Sequence, residues 1–338
     1  YLLQGTKAVK LTLGEWKEVE IEDEEDGNEG GDGEDEGPTM EYRVVPIDDP
    51  VEMPAAQIVE DNPVHKYEII ESPVKKIRVG YLMYNSFTAG TKAEPEKYNN
   101  ELRSVSQKFK EAGVQAVILD LRYNEGGSMD CVQLLGTILT SADRLGEPMA
   151  YLEYNDKNTD KDATILFGTD REINLNLHSL IAITSGTTMG APEMLIRSLF
   201  LEDTYPIATV GSSTKGQNVA TEQFINEEFL WSVNPVVCTV YNSQHDTYGA
   251  ISPATDLKVS ETTIDGSTNY SEFLPFGTFD KDGKSERLLK IAIGVLDGTY
   301  PPKDDETPEE STTQTRFKVE KSASSPASRR FSSKGLRL

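Results

Sequence analysis

Two short segments carry residue types and spacings that could do chemistry. The first is DLRYNEGGS, Asp120 to Ser128. Its glycines, Gly126 and Gly127, precede a helical pattern, so backbone N–H groups can converge on an anion with the helix dipole behind them. In acyl transfer such a feature is an oxyanion hole; the plainer reading is a tight turn. The second segment is ITSGTTMGAPEMLIRSL, residues 183–199. An apolar run ends in the hydroxyls of Ser185, Thr187 and Thr188, and a helical pattern opens with Pro192 in its first turn, where proline is tolerated. A strand–helix junction of this kind is where many α/β hydrolases place a nucleophile. The plainer reading of the hydroxyls is that they satisfy loop and helix-end N–H groups. His65, His178 and His245 lie far apart, outside any metal-ligand spacing. Neither a metal nor a cofactor is expected.

The elements that must position these segments are legible from periodicity. IRVGYLMYNSF, from Ile77, reads as a buried strand. YNNELRSVSQKFKEAG reads as a helix with Leu102, Val105 and Phe109 on one face and Gly113 at its end. QAVILDLR has the continuous apolar character of a central parallel strand. SMDCVQLLGTILTS follows as a helix with Ser128 at its N-cap. PMAYLEYN, ATILFG, LHSLIAITSG and IATVGSS read as strands, and APEMLIRSLF as a helix. Residues 228–242 suggest an antiparallel pair, and ERLLKIAIGVLDG a last helix ending at Gly298. The alternation of strand and helix implies an α/β fold, a mainly parallel sheet covered by helices, with ligands beyond the carboxyl ends of its strands.

The chain has 338 residues, a net charge of −24 and 37% hydrophobic residues. Such a surface repels phosphates, which argues against nucleic acid as a partner. Much of the charge lies in EVEIEDEEDGNEGGDGEDEG, residues 18–37. This run reads as a solvated insertion, since it cannot bury enough apolar surface to order itself. It offers oxygen ligands but lacks the ordered spacing of a calcium loop. No run of about 18 apolar residues marks a membrane span. Cys131 and Cys238 read as small buried hydrophobes, with a disulfide between them left open. The expected organisation is 1–22, a strand pair around a Gly-Thr turn; 23–40, an acidic disordered insertion; 41–76, a connector with one or two strands; 77–298, the main α/β domain; and 299–338, a disordered tail with a basic end.

The two chemical segments, in this order, resemble the tail-specific (carboxy-terminal processing) serine proteases, whose core is ClpP/crotonase-like. That family has D-L-R-x-N-x-G-G, then T-A-S-A-S-E at a strand–helix junction, then V-G-E-x-T-x-G-K on the next strand. Here these read DLRYNEGG (Asp120–Gly127), TMGAPE (Thr188–Glu193) and VGSSTKGQ (Val210–Gln217). GYLMYNSF, YLEYNDK, PVVCTVYN and GAISP are similar too, over about residues 60–298, in the manner of the secreted bacteroidete-type branch. The resemblance implies that residues 1–22 are the C-terminal part of a PDZ-like domain. It implies a polypeptide substrate or ligand, and a periplasmic or cell-surface setting. It says nothing of the oligomeric state.

Where the family keeps its serine nucleophile, this chain has Gly190. Where it keeps its lysine base, matching Gly211, Thr214 and Gly216 places Gln217. Glycine has no nucleophile and an amide is no base near neutral pH. Gly126, Gly127 and the N–H of Ala191 match the family's oxyanion donors. Three readings follow. The first is a catalytically impaired relative that binds polypeptide C-termini or unfolded segments in the old cleft. The second is an active serine endopeptidase in which Lys215, two residues before Gln217 and so on the same side of an extended segment, serves as a substitute base for Ser185, Thr187 or Thr188. The third is a structural or assembly role with no peptide binding.

Overall fold

The computed structural model describes residues 9–11, 14–20, 40–46, 51–53, 60–229, 231–260, 263–264, 267–268, 274–280, 283–301 and 335–337. The chain divides into two units, residues 1–61 and 62–338.

In the first unit, β1 (Val9–Leu11) and β2 (Gly14–Glu20) do not pair with each other. β2 pairs antiparallel with β3 (Met40–Pro46), from Gly14 opposite Pro46 to Glu20 opposite Met40. β1 pairs with β4 (Val51–Met53). Both pairings reach across the acidic run, while the strand pair expected around the Gly-Thr turn falls on residues outside the described set. Residues 1–8 and 21–39, and with them the Gly-Thr turn and most of that run, lie outside the described residues.

The second unit begins before the expected boundary at residue 77. β5 (Val64–Glu71) pairs antiparallel with β6 (Arg78–Tyr84) and so joins the main sheet. After β6 come α1 (Lys97–Glu111), β7 (Ala116–Asp120), β8 (Gly126–Ser128), α2 (Met129–Leu139), β9 (Pro148–Tyr154) and β10 (Ala163–Leu166). β11 (Leu180–Thr184), α3 (Ala191–Leu199), β12 (Ile207–Gly211), β13 (Val219–Thr221), β14 (Phe224–Asn226), β15 (Trp231–Val233) and β16 (Val236–Tyr241) follow. The small hairpin of β17 (Thr263–Ile264) and β18 (Ser267–Thr268), α4 (Arg287–Asp297) and β19 (Gly335–Arg337) complete the set.

The main sheet has the order β12-β11-β7-β6-β5, parallel except for β5. Its faces divide by the two-residue period of the strands. Val79, Tyr81, Met83, Ile118, Ile181, Ile183 and Val210 pack against Leu288, Leu289, Ala292 and Ile293 of α4. The alternate residues, among them Leu82, Val117, Leu119 and Ala182, share a core with α1, α2 and α3. Leu102, Val105 and Phe109 are buried on α1 as their spacing requires.

A second, six-stranded sheet has the order β10-β9-β16-β13-β19-β8. Periodicity did not reveal it, because four of its strands have four residues or fewer and its order departs from chain order. The antiparallel pair expected over 228–242 does not form. β15 pairs back with β14, and β16 pairs with β13 and β9, with Pro235 between the two strands. The tail also departs from expectation: within 299–338, Gly335–Arg337 is a strand, because two sheet edges are open to receive it. Residues 302–334 lie outside the described residues.

Cys131 and Cys238 are both free and buried, so the disulfide left open is not formed. Burial pushes the Cys131 thiol up to about 12 and the Cys238 thiol up to about 11, which removes the reactive thiolate.

Asp297, in the last turn of α4, accepts from the N–H groups of Val74 and Lys75, each at 3.0 Å. Burial raises its pKa, but these N–H groups and Ser72 overcome that, and the net direction is below the ordinary 3.8. A lowered folded pKa contributes stability that is complete above the unfolded value and disappears as pH falls through the folded one. In urea unfolding, Asp297→Asn is therefore expected to cost stability at pH 7 and to lose that deficit between about pH 4 and pH 2. A deficit unchanged down to pH 2 would rule the account out.

Candidate functional site

The site gathers at the carboxyl ends of β7 and β11, where the sequence placed it. Asn124 ties the first loop together. Its Nδ2 donates to the Tyr84 carbonyl at 2.8 Å, its Oδ1 accepts from Gly126 N–H at 3.0 Å, and its carbonyl accepts from Met189 N–H at 3.1 Å. One buried amide thus joins the end of β6, the glycine turn and the loop before α3.

Gly126 and Gly127 have φ of 114° and 141°, the region that favours glycine. A Cβ on Gly127 would lie 2.3 Å from the Phe87 carbonyl oxygen, a backbone atom that cannot swing away. Phe87 brackets this strand, donating N–H to the Gly126 carbonyl at 3.0 Å and accepting from Ser128 N–H at 2.8 Å. Ser128 stands at the N-cap of α2 as expected, but its side chain makes no capping hydrogen bond. The Gly126 N–H expected as an oxyanion donor is directed at Asn124.

Glu193 is the hub of the second half. It is fully buried, and four groups donate to its carboxylate. Oε2 accepts from the N–H groups of Gly190 and Gln217, both at 2.8 Å. Oε1 accepts from Gly216 N–H at 2.5 Å and from the Thr214 hydroxyl. The backbones of Gly190 and Gln217, the residues expected at the nucleophile and base positions, are therefore brought together through one carboxylate oxygen. Gly190 caps α3 with φ 71° and ψ −103°, and Ala191 is the first residue of the helix, fully buried. The signal for Glu193 was present in the sequence: a glutamate three residues after a helix cap reaches back to the cap's N–H.

The substitute dyad is not assembled. Thr188 donates its hydroxyl to the Leu121 carbonyl at 2.9 Å and accepts from Ser185 N–H at 3.0 Å. Thr187 donates to the Arg122 carbonyl at 2.8 Å, and Ser185 donates to the same carbonyl. All three hydroxyls stitch the 185–188 loop to the end of β7. The Lys215 side chain is exposed, while Gln217 is half-buried. Among the described residues Gln217 Oε1 is shut away from solvent without a hydrogen-bond partner. Gly216 between Lys215 and Gln217 has φ 86°, so the segment is not extended and the two-residue period does not apply to it; the Lys215 N–H donates to the Thr188 carbonyl at 3.1 Å.

Asp120 and Arg122, on the other face of β7, are structural. Arg122 is fully buried between Asp120 (2.7 Å) and Glu286 (3.0 Å), and Tyr81 donates its hydroxyl to Asp120 at 2.7 Å. Burial alone would lower the guanidinium pKa; the two carboxylates overcome this and raise it. Glu286 also caps α4 by accepting from the N–H groups of Leu288 and Leu289. Among the described residues no three His, Cys, Asp or Glu side chains converge as a metal site, and no helix is long and apolar enough to cross a membrane.

The profile of peptidase family S41 matches residues 78–234. A structure from Bacteroides fragilis assigned to the S41 proteases is 35% identical, covering 88% of this chain and 68% of its own, with a TM-score of 0.66. A photosystem II D1 C-terminal processing protease is 16% identical, over 65% of this chain and 52% of its own, with a TM-score of 0.45. A lipoprotein from Streptococcus agalactiae is 19% identical, over 56% and 63%, with a TM-score of 0.41. A search of curated proteins finds no match. On the extent and identity of the Bacteroides fragilis likeness, the chain belongs to peptidase family S41.

Proposed function

We propose that this protein is a catalytically impaired S41 peptidase that binds extended polypeptide, C-termini or unfolded segments, in a cleft that no longer turns it over. The observation that carries the reading is the Glu193 hub. It holds the backbones of Gly190 and Gln217 side by side, as a working dyad would need, yet neither residue supplies a nucleophile or a base. The Ala191 N–H at the start of α3 remains available in kind to grip a carbonyl or carboxylate. Residues 1–22 belong to the proposal as the C-terminal part of a PDZ-like domain. So does an exported location, which rests on the family alone.

The alternative, an active endopeptidase with a hydroxyl and Lys215, is disfavoured by the commitment of Ser185, Thr187 and Thr188 to backbone carbonyls. A long incubation with an unstructured polypeptide, read by mass spectrometry, separates the two. The expected result is an inert wild type beside a cleaving double variant, Gly190→Ser with Gln217→Lys. Serine at Gly190 is strained by its φ, at a cost of about 1–3 kcal/mol, so the double variant should also melt earlier. Cleavage by the wild type, abolished by Lys215→Ala, would overturn the proposal in favour of the alternative.

A further inference from the structure

β19 lies between the two halves of the candidate site. On one side Gly335, Leu336 and Arg337 pair in parallel with Gly126, Gly127 and Ser128 of β8. On the other, Leu336 and Arg337 pair in parallel with Ala220 and Thr221 of β13, which begins two residues after Gln217. It also runs beside α3, the helix that Gly190 caps. β8 and β13 meet only through β19. Without it, each would present an open row of N–H and C=O groups to the gap.

This slot has the features of a strand acceptor. One wall is glycine at two successive positions, so no side chain obstructs an incoming backbone. Pairing through backbone groups is tolerant of sequence, which suits a protein that receives varied polypeptides. The occupant is short, and the residues before it, 302–334, have the Ser-, Thr-, Pro- and charge-rich composition of a tether rather than of a core element.

We propose that the slot between β8 and β13 is the strand-acceptor of the cleft, and that the chain's own segment Gly335–Arg337 is its resident occupant, which an external extended polypeptide must displace. The inference rests on the peptide-binding reading above. It makes occupancy by the segment a brake on binding: if the slot is open in about one molecule in ten, apparent affinity falls about tenfold.

The test uses a fluorescein-labelled peptide of the chain's own sequence, SSKGLRL, and a control in which its leucine at the second-last pairing position is replaced to give SSKGPRL. Anisotropy is measured with the full chain, with a variant lacking residues 335–338, and with full-length Leu336→Pro, whose proline cannot donate to the ladder. The expected result is binding about tenfold tighter to both variants than to the full chain, with the proline peptide failing on all three. Equal affinity across the three proteins would overturn the inference and leave the peptide-binding reading standing. Absence of binding to any of them would overturn both. Loss of a cooperative melt in both variants would make β19 an integral strand and overturn the inference as well.

Discussion

Replacing Glu193 by alanine is expected to lower the melting temperature by about 10 °C, the largest effect of any single change in the candidate site. The side chain is fully buried and accepts from Gly190, Gly216 and Gln217 N–H and from the Thr214 hydroxyl. Alanine leaves all four donors without this acceptor, two of them, the Gly190 N–H and the Thr214 hydroxyl, buried. Each unsatisfied donor costs on the order of 1–3 kcal/mol, and relaxation around the site should hold the total near 4 kcal/mol. In a unit of this size that corresponds to roughly 10 °C. Glu193→Gln should fall between the two, since the amide keeps one acceptor oxygen but turns an NH2 group toward donors. Differential scanning calorimetry of the three proteins decides the matter. A shift below about 2 °C for the alanine variant would mean that the carboxylate does not hold the halves of the site together.

Arg122→Met is expected to cost about 3–5 kcal/mol, measured by urea unfolding at neutral pH. The guanidinium is fully buried, bonded to both Asp120 oxygens and to Glu286, with the Phe276 ring 5.0 Å from its centre. Methionine replaces its volume and leaves two carboxylates facing each other without a counter-charge. Lysine should not rescue it, because one ammonium cannot reproduce the paired geometry toward both partners. Glu286→Gln in the Arg122→Met background should recover part of the loss, by removing one of the stranded charges. An additive double variant would show that Arg122 and Glu286 do not act as a pair.

These two clusters hold the fold of the site together independently of Gly190 and the Gln217 side chain. Asp120 and Arg122 anchor α4 to the sheet through Glu286. Asn124 and Glu193 tie together the loops that converge at the strand ends. Each is needed to fold the site whether or not Gly190 and Gln217 could react.

Much of the parallel sheet was legible in the chain. β6, β7, β11 and β12 are continuous apolar runs, because both of their faces are covered. The long helices were legible from one apolar face and from their boundaries. The substitutions at Gly190 and Gln217 were also plain, since residue identity alone excludes a nucleophile and a base. The pairings that depend on distant partners were not legible. β5 joins the main sheet, β1 and β2 pair with β4 and β3, β15 pairs back with β14, and β16 pairs with β13 and β9. Such short strands carry too few residues for a period to show, and their partners are set by which edges are open.

The sequence by itself determined the α/β class and placed the two candidate segments at the ends of β7 and β11. Those follow from residue type and local period, which every segment carries within itself. Only the tertiary structure decided that the segment from Lys215 to Gln217 is not extended, that the nearby hydroxyls donate to carbonyls just beyond β7, that Glu193 holds four donors, and that Gly335–Arg337 lies between β8 and β13. Each of these depends on a backbone turn at glycine or on a hydrogen bond between residues far apart in the chain, and neither is written in the order of the residues.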